Sequence, residues 1–175
     1  MASVFVTGSS DGIGMETARQ LVAAGQRVVL HARNADRARE AAAGVPGAAG
    51  VAVGDLSTVA GALAAGEDAA DRGPYDVIIH NAGVGGGSPR RVTADGLEHI
   101  FAVNVLAPYV LTAVMPVAPR MVYLTSGLEA AGRARLDDLQ WEQRAWDGMQ
   151  AYSDSKLYDV MLAFAVARRW PRARV

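Results

Sequence analysis

Residues Thr7-Gly8-Ser9-Ser10-Asp11-Gly12-Ile13-Gly14 follow a short apolar run and lead at once into a helical pattern. Few arrangements accommodate so many glycines between a strand and a helix. Gly8 permits a tight turn off the strand, Gly12 lets backbone approach a bound group, and Gly14 lets the helix pack closely on the sheet. Such a turn aims the helix N-terminus, with its unpaired N–H groups and positive dipole end, at whatever fills it. That is an anion site, and a pyrophosphate suits it. The spacing is Gly-x3-Gly-x-Gly rather than the commoner Gly-x-Gly-x-x-Gly. The strand before and the helix after therefore carry as much weight as the glycines.

The rest of the chain repeats the alternation. Strands are predicted at Ser3–Thr7, Arg27–His31, Gly50–Val53, Asp76–His80 and Arg120–Thr125, with helices at about 13–24, 34–43, 57–71, 95–115 and 152–170. The first, second and fourth strands are nearly continuous apolar runs, as strands covered on both faces must be. In the last helix Leu157, Val160, Met161 and Phe164 fall on one stripe. The pattern predicts an α/β doubly wound parallel sheet of Rossmann type, a single domain over 1–175. The composition, 51% hydrophobic and 20% charged in 175 residues, suits that reading. A net charge of −1 offers nothing to nucleic acid or an anionic membrane. Cysteine is absent, so disulfides and thiolate metal sites are excluded and a reducing, cytoplasmic setting is expected. His31, His80 and His99 have no ligand spacing, so no metal is expected. The N-terminus lacks a basic, apolar leader pattern, and Asn104, Pro108 and Pro116 interrupt the most apolar stretch, so no membrane span is expected.

Further landmarks follow in order. Asp55-Leu56 comes after the third strand, Asn81-Ala82-Gly83 ends the fourth, Asn104 lies in the fourth helical stretch, Ser126 ends the fifth strand, and Tyr152-Ser153-Asp154-Ser155-Lys156 opens the last helix. Together with Thr-Gly-x3-Gly-Ile-Gly, this series resembles the short-chain dehydrogenase/reductase family, nearest its retinol-dehydrogenase-like and ketoreductase branches. The resemblance covers the whole chain. It implies a nicotinamide dinucleotide held by Gly8, Ser10, Asp11, Gly12, Ile13, Gly14, Asp55, Leu56, Asn81, Ala82 and Gly83, with Asp55 against the adenine. It implies Tyr152 as general acid/base, with Lys156 lowering its pKa and holding the nicotinamide ribose, and Ser126 orienting the substrate. It also implies strand order 3-2-1-4-5 and a homodimer or homotetramer formed through the helices at 95–115 and 152–170.

The residues support these roles in their own right. An acid ending the second strand would bond a ribose 2′-hydroxyl, whereas an Arg nearby accommodates a 2′-phosphate. This strand ends Leu30-His31-Ala32-Arg33, so NADP(H) is favoured over NAD(H), with Asp36 a candidate partner for Arg33. Against that preference, Asp11 sits where NADP-preferring relatives carry a base. Tyr152 and Lys156 stand at i and i+4 of a helix and share a face, which puts an ammonium near a phenol. Lys156 is the only lysine in the chain. Ser126, at the carboxyl end of a strand, lies on the rim where open α/β sheets bind ligands. Pro108 has no N–H, so the carbonyl of Asn104, four residues earlier, loses its helical partner. In the family the corresponding carbonyl holds a water of the proton relay.

The long connection Gly127–Gln150, carrying Trp141 and Trp146, reads as part of the substrate entrance. The sequence ends about where the family's sixth strand begins, so the C-terminal strands are expected to be missing. Arg120–Thr125 is then an edge whose Met121, Tyr123 and Leu124 lose cover. The leading expectation is an oxidoreductase acting on a small carbonyl or alcohol. A truncated, catalytically silent dinucleotide-binding domain is the alternative, and a sugar-nucleotide epimerase fits the glycine spacing poorly.

Overall fold

In the computed structural model, which describes residues 1–87 and 89–175, five parallel strands form one sheet in the order β3-β2-β1-β4-β5. They are β1 (Ser3–Val6), β2 (Arg27–Ala32), β3 (Gly50–Val53), β4 (Val77–His80) and β5 (Arg120–Tyr123). The helices between them are α1 (Gly12–Ala23), α2 (Ala35–Gly44) and α3 (Val59–Asp71), then α4 (His99–Phe101), a π turn (Ala102–Leu106) and α5 (Ala107–Val114) end to end, and finally α6 (Gly148–Arg169).

Strand alternation divides the core into two layers. Val4, Val6, Val28 and Leu30 pack with Ala18 of α1 and Ala41 of α2. Phe5, Val29, Ile78 and Met121 face the other way, onto Ala62, Ala65 and Ala69 of α3 and Val110 and Leu111 of α5. The small side chains of α3 bring α5 close: a methyl group on Gly66 would lie 2.5 Å from Val114 Cγ2.

Two expectations are corrected. The helix predicted over 95–115 starts at His99, because Thr93–Gly96 form a turn, with Gly96 at φ +78°, and Glu98 caps the helix by accepting the N–H groups of Ile100 and Phe101. Pro108 then makes itself felt: the Ala107 N–H reaches back to the Ala102 carbonyl, five residues away, and the helix widens into its π turn around Asn104. The second correction concerns β5. It is the edge strand, yet Met121 is 2% exposed in the core and Tyr123 packs beside it, because both project onto the α3/α5 layer. Arg174 also pairs with the strand: its N–H donates to the Pro119 carbonyl and its carbonyl accepts the Met121 N–H, each at 2.8 Å. Leu124 does remain 39% exposed.

Candidate active site

The carboxyl ends of four strands are tied together beneath the glycine-rich turn. Thr7 Oγ1 accepts the N–H groups of Asn81 and Ala82, both at 3.0 Å. Asn81 Nδ2 returns two bonds, to the carbonyls of Thr7 at 2.9 Å and Gly8 at 3.2 Å. His31 makes the link on the other side. The Gly8 N–H donates to its Nδ1 at 3.1 Å, so Nε2 carries the ring proton and donates to the Gly54 carbonyl at 2.9 Å. Burial holds the imidazole pKa down, in keeping with this neutral form. Packing here is backbone against backbone: a methyl group on Gly14 would sit 2.3 Å from the Gly8 carbonyl oxygen. Gly12 differs. It opens α1 at φ +53°, and a methyl group there would meet nothing within 4 Å.

The turn forms one end of a cleft of about 610 Å³, which runs past Asp55, Leu56 and Asn81–Gly85 to Tyr152 and Lys156. All the sequence-predicted cofactor residues line it. The N-cap residue of α1, Asp11, makes no side-chain bond to the helix, so the first-turn N–H groups are left without a side-chain cap. Its carboxylate pairs instead with Arg37, which also bonds Glu40 at 2.5 Å. Asp36 pairs with Arg39 rather than Arg33, since the two lie three apart on α2. Among the described residues Arg33 therefore has no ion pair, and it stands exposed on the cleft wall. Asp55 accepts the Ser57 N–H at 2.9 Å, which shapes the turn into α3.

At the far end Tyr152 and Lys156 both face the cleft, with Nζ 5.9 Å from the centroid of the phenol ring. The ammonium donates to the Leu124 carbonyl at 2.7 Å and to Asp159 at 2.8 Å. Asn104 is 1% exposed and clamps the adjoining loop: Oδ1 accepts the Val84 N–H at 2.8 Å, while Nδ2 donates to the Val84 carbonyl and to Ser155 Oγ. Sequence reasoning placed the role of Asn104 in its carbonyl; its side chain also joins the Gly83–Val84 loop to α6. Ser126 is half-buried and caps a short 3-10 turn, Gly127–Ala131, by accepting the Leu128 N–H. It does not itself line the cleft, although its neighbours Leu124 and Thr125 do.

Several residues escaped the sequence reading. Thr7 and His31 act through backbone partners distant in sequence, which no local pattern announces. Arg37 lies four residues after Arg33, a spacing that a search for a second cation could have used. Arg91 and His99 line the cleft as well, with Arg91 donating to His99 Nδ1 at 3.2 Å. Among the described residues none of Gly127–Gln150, read from the sequence as part of the substrate entrance, lines this cleft. Trp141 is 7% exposed and packs with Ile100 and Ala151, edge-on to Trp146, with the Arg144 guanidinium 3.5 Å from its ring centroid. Arg144 in turn lies between the buried carboxylates of Asp138 and Asp154. Apolar burial and ion pairing hold these side chains against one another.

Residues 2–130 match the family model described as short chain dehydrogenase. The chain is 46% identical to an uncharacterized oxidoreductase of Emericella nidulans, over 99% of its own length and 66% of that protein's. It is 43% identical to the short-chain dehydrogenase chyC of Penicillium rubens, over 97% of its length and 67% of the relative's. A crystal structure of a Mycobacterium paratuberculosis protein superposes with a TM-score of 0.88 at 30% identity, covering 98% of this chain and 63% of the other. The chain thus spans about two thirds of the length of the relatives it matches.

Proposed function

The chain belongs to the short-chain dehydrogenase family, and from that premise we propose that it takes part in hydride transfer between NADP(H) and a small carbonyl or alcohol. The observation that carries this reading is a single cleft with a glycine-rich anion turn at one end and the Tyr152–Lys156 pair at the other. The first residues of α1 fit a pyrophosphate: the helix N-terminus has no side-chain cap, and the open space beside Gly12 leaves room for phosphate oxygens. A bound nicotinamide supplies the hydride.

The protein's own groups do the rest. Tyr152 gives its phenolic proton to the alkoxide that forms as a carbonyl is reduced, and takes it back in the reverse direction. Lys156 places a positive charge beside the phenol, which favours the phenolate. Ser126 follows Leu124 and Thr125 of the cleft wall along the chain, and the role given to it is to orient the substrate oxygen. Asn104 holds Val84 and Ser155 in place, and so ties the Gly83–Val84 loop to the helix that carries Tyr152. The preference for the 2′-phosphate rests on Arg33, which is unpaired and on the wall, and on the absence of an acid at the end of β2. Arg37 neutralises Asp11 and reduces the repulsion that this carboxylate would direct at a phosphate.

Exposed apolar side chains on α5 and α6, Tyr109 and Phe164 foremost, support an assembly through those helices. The functional reading is tested by following NADPH absorbance with a panel of aldehydes and ketones. Substrate-dependent oxidation that is lost in Tyr152→Phe supports it. Dinucleotide binding without turnover on any carbonyl overturns it.

A further inference from the structure

Asp159 lies one turn beyond Lys156 on α6, behind the cleft rather than in it. Its Oδ2 accepts from Lys156 Nζ at 2.8 Å, and the two side chains are only 5% and 6% exposed. The same ammonium donates to the Leu124 carbonyl at 2.7 Å. An ammonium has three donors, so two are committed to the protein and one is left for the cleft. Proton transfer at Tyr152 does not by itself call for an acid at this place, and a carboxylate this deeply buried is costly unless it is paired.

The surroundings of Asp159 leave the pairing unambiguous. From its own helix only Lys156 brings a charge, and from β5 the nearest titratable group is Tyr123, whose phenol burial pushes up to about 12. The Tyr123 hydroxyl is taken by Thr112 of α5 at 2.7 Å. His80 of β4 stacks on the Tyr123 ring, and burial keeps it neutral. Among the described residues the carboxylate therefore faces one cation.

We propose that Asp159 is a positioning residue for the site: it fixes the place of the Lys156 ammonium and governs how much positive charge that group presents to Tyr152. The proposal rests on the reading of Tyr152 as the proton donor. With Asp159 ionised, its negative charge offsets part of the positive charge that the ammonium directs at the phenol. With Asp159 protonated, the phenol faces the full ammonium charge, with Nζ 5.9 Å from the ring centroid in a partly buried cleft. Burial raises the Asp159 carboxyl from 3.8 to about 6, against the opposing pull of Lys156, so this change falls in an accessible pH range.

Because Lys156 is the only lysine, labelling the chain with ¹³Cε,¹⁵Nζ-lysine gives one side-chain signal to follow by NMR. In the unaltered chain that signal should show an inflection near pH 6, as Asp159 takes up its proton. In Asp159→Asn the inflection should vanish, since the neighbouring group no longer takes up a proton. A signal that runs flat through pH 6 in the unaltered chain overturns the proposal even if the variant fails to fold. These readouts need no turnover, so they stand apart from the assignment of function. Where turnover is found, Asp159→Asn should also remove a step near pH 6 from the pH profile of kcat/KM, and an unshifted profile overturns the proposal.

Discussion

Tyr152 and Arg33 carry the two most specific expectations at the scale of single residues. Tyr152→Phe keeps the ring and its packing but removes the only phenolic proton facing the cleft among the described residues. Turnover should fall on the order of 10²–10⁴-fold while the Kd for NADPH stays within a factor of about two, read by steady-state kinetics beside fluorescence titration. Arg33 is exposed and unpaired, so its removal breaks no internal bond and should leave stability unchanged. Arg33→Ala should weaken NADPH by roughly 1.5–3 kcal/mol, the range of a charge-assisted hydrogen bond, and spare NADH. Equal losses for the two cofactors would remove Arg33 from the phosphate site.

The glycine turn and the broken helix show what elements add. Gly12 and Gly14 look alike in sequence, yet only Gly14 is enclosed by backbone. Gly14→Ala forces a methyl group to within 2.4 Å of Asn81 Nδ2 as well as onto the Gly8 carbonyl, so β1, α1 or the Asn81 loop must shift. A cost of about 1–3 kcal/mol is expected in urea unfolding. Gly12→Ala has space and bears only the strain of its positive φ, about 1 kcal/mol, but its methyl group occupies the ground a phosphate would need. Dinucleotide affinity should drop more than stability in that variant, and the reverse order would show that the turn does not face the ligand. The helix around Asn104 makes a related point. Proline predicted a missing hydrogen bond, and the chain answers with a π turn.

For the whole molecule, pH and association are the measurable properties. His80 is driven from 6.5 to about 3 by burial, and His31 is lowered for the same reason. The unfolded chain protonates both near pH 6.5 whereas the folded chain resists, so stability is complete above that pH and falls as acid is added. Asp159 works in the opposite sense, since the folded chain takes up its proton near pH 6, before the unfolded chain does. The lowered imidazoles, His99 among them, outweigh the one carboxyl, so stability should fall as the pH drops below about 6. Chemical unfolding at a series of pH values measures it, and His80→Phe should flatten the curve. Light scattering tests the assembly: Phe164→Glu and Tyr109→Glu should lower the mass if α6 and α5 form the interface, as both side chains are more than half exposed.

Strand and helix positions, the parallel sheet and the identity of the Tyr152–Lys156 pair are legible in the sequence because each follows from local periodicity or from i, i+4 spacing on one helix. Gly8, Gly12 and Gly14 are legible for the same reason, as the demands of one turn. What lies far apart along the chain had to wait for the tertiary structure. His31 joins Gly8 to Gly54, Thr7 joins β1 to Asn81, and Asn104 joins Val84 to Ser155, each across 20 or more residues. Arg144 and Trp141 are drawn inward because burial and pairing are settled by neighbours in space. The Asp159–Lys156 pair belongs to both: its spacing is written in the helix, but only the packing of α6 against β5 buries it and gives it consequence.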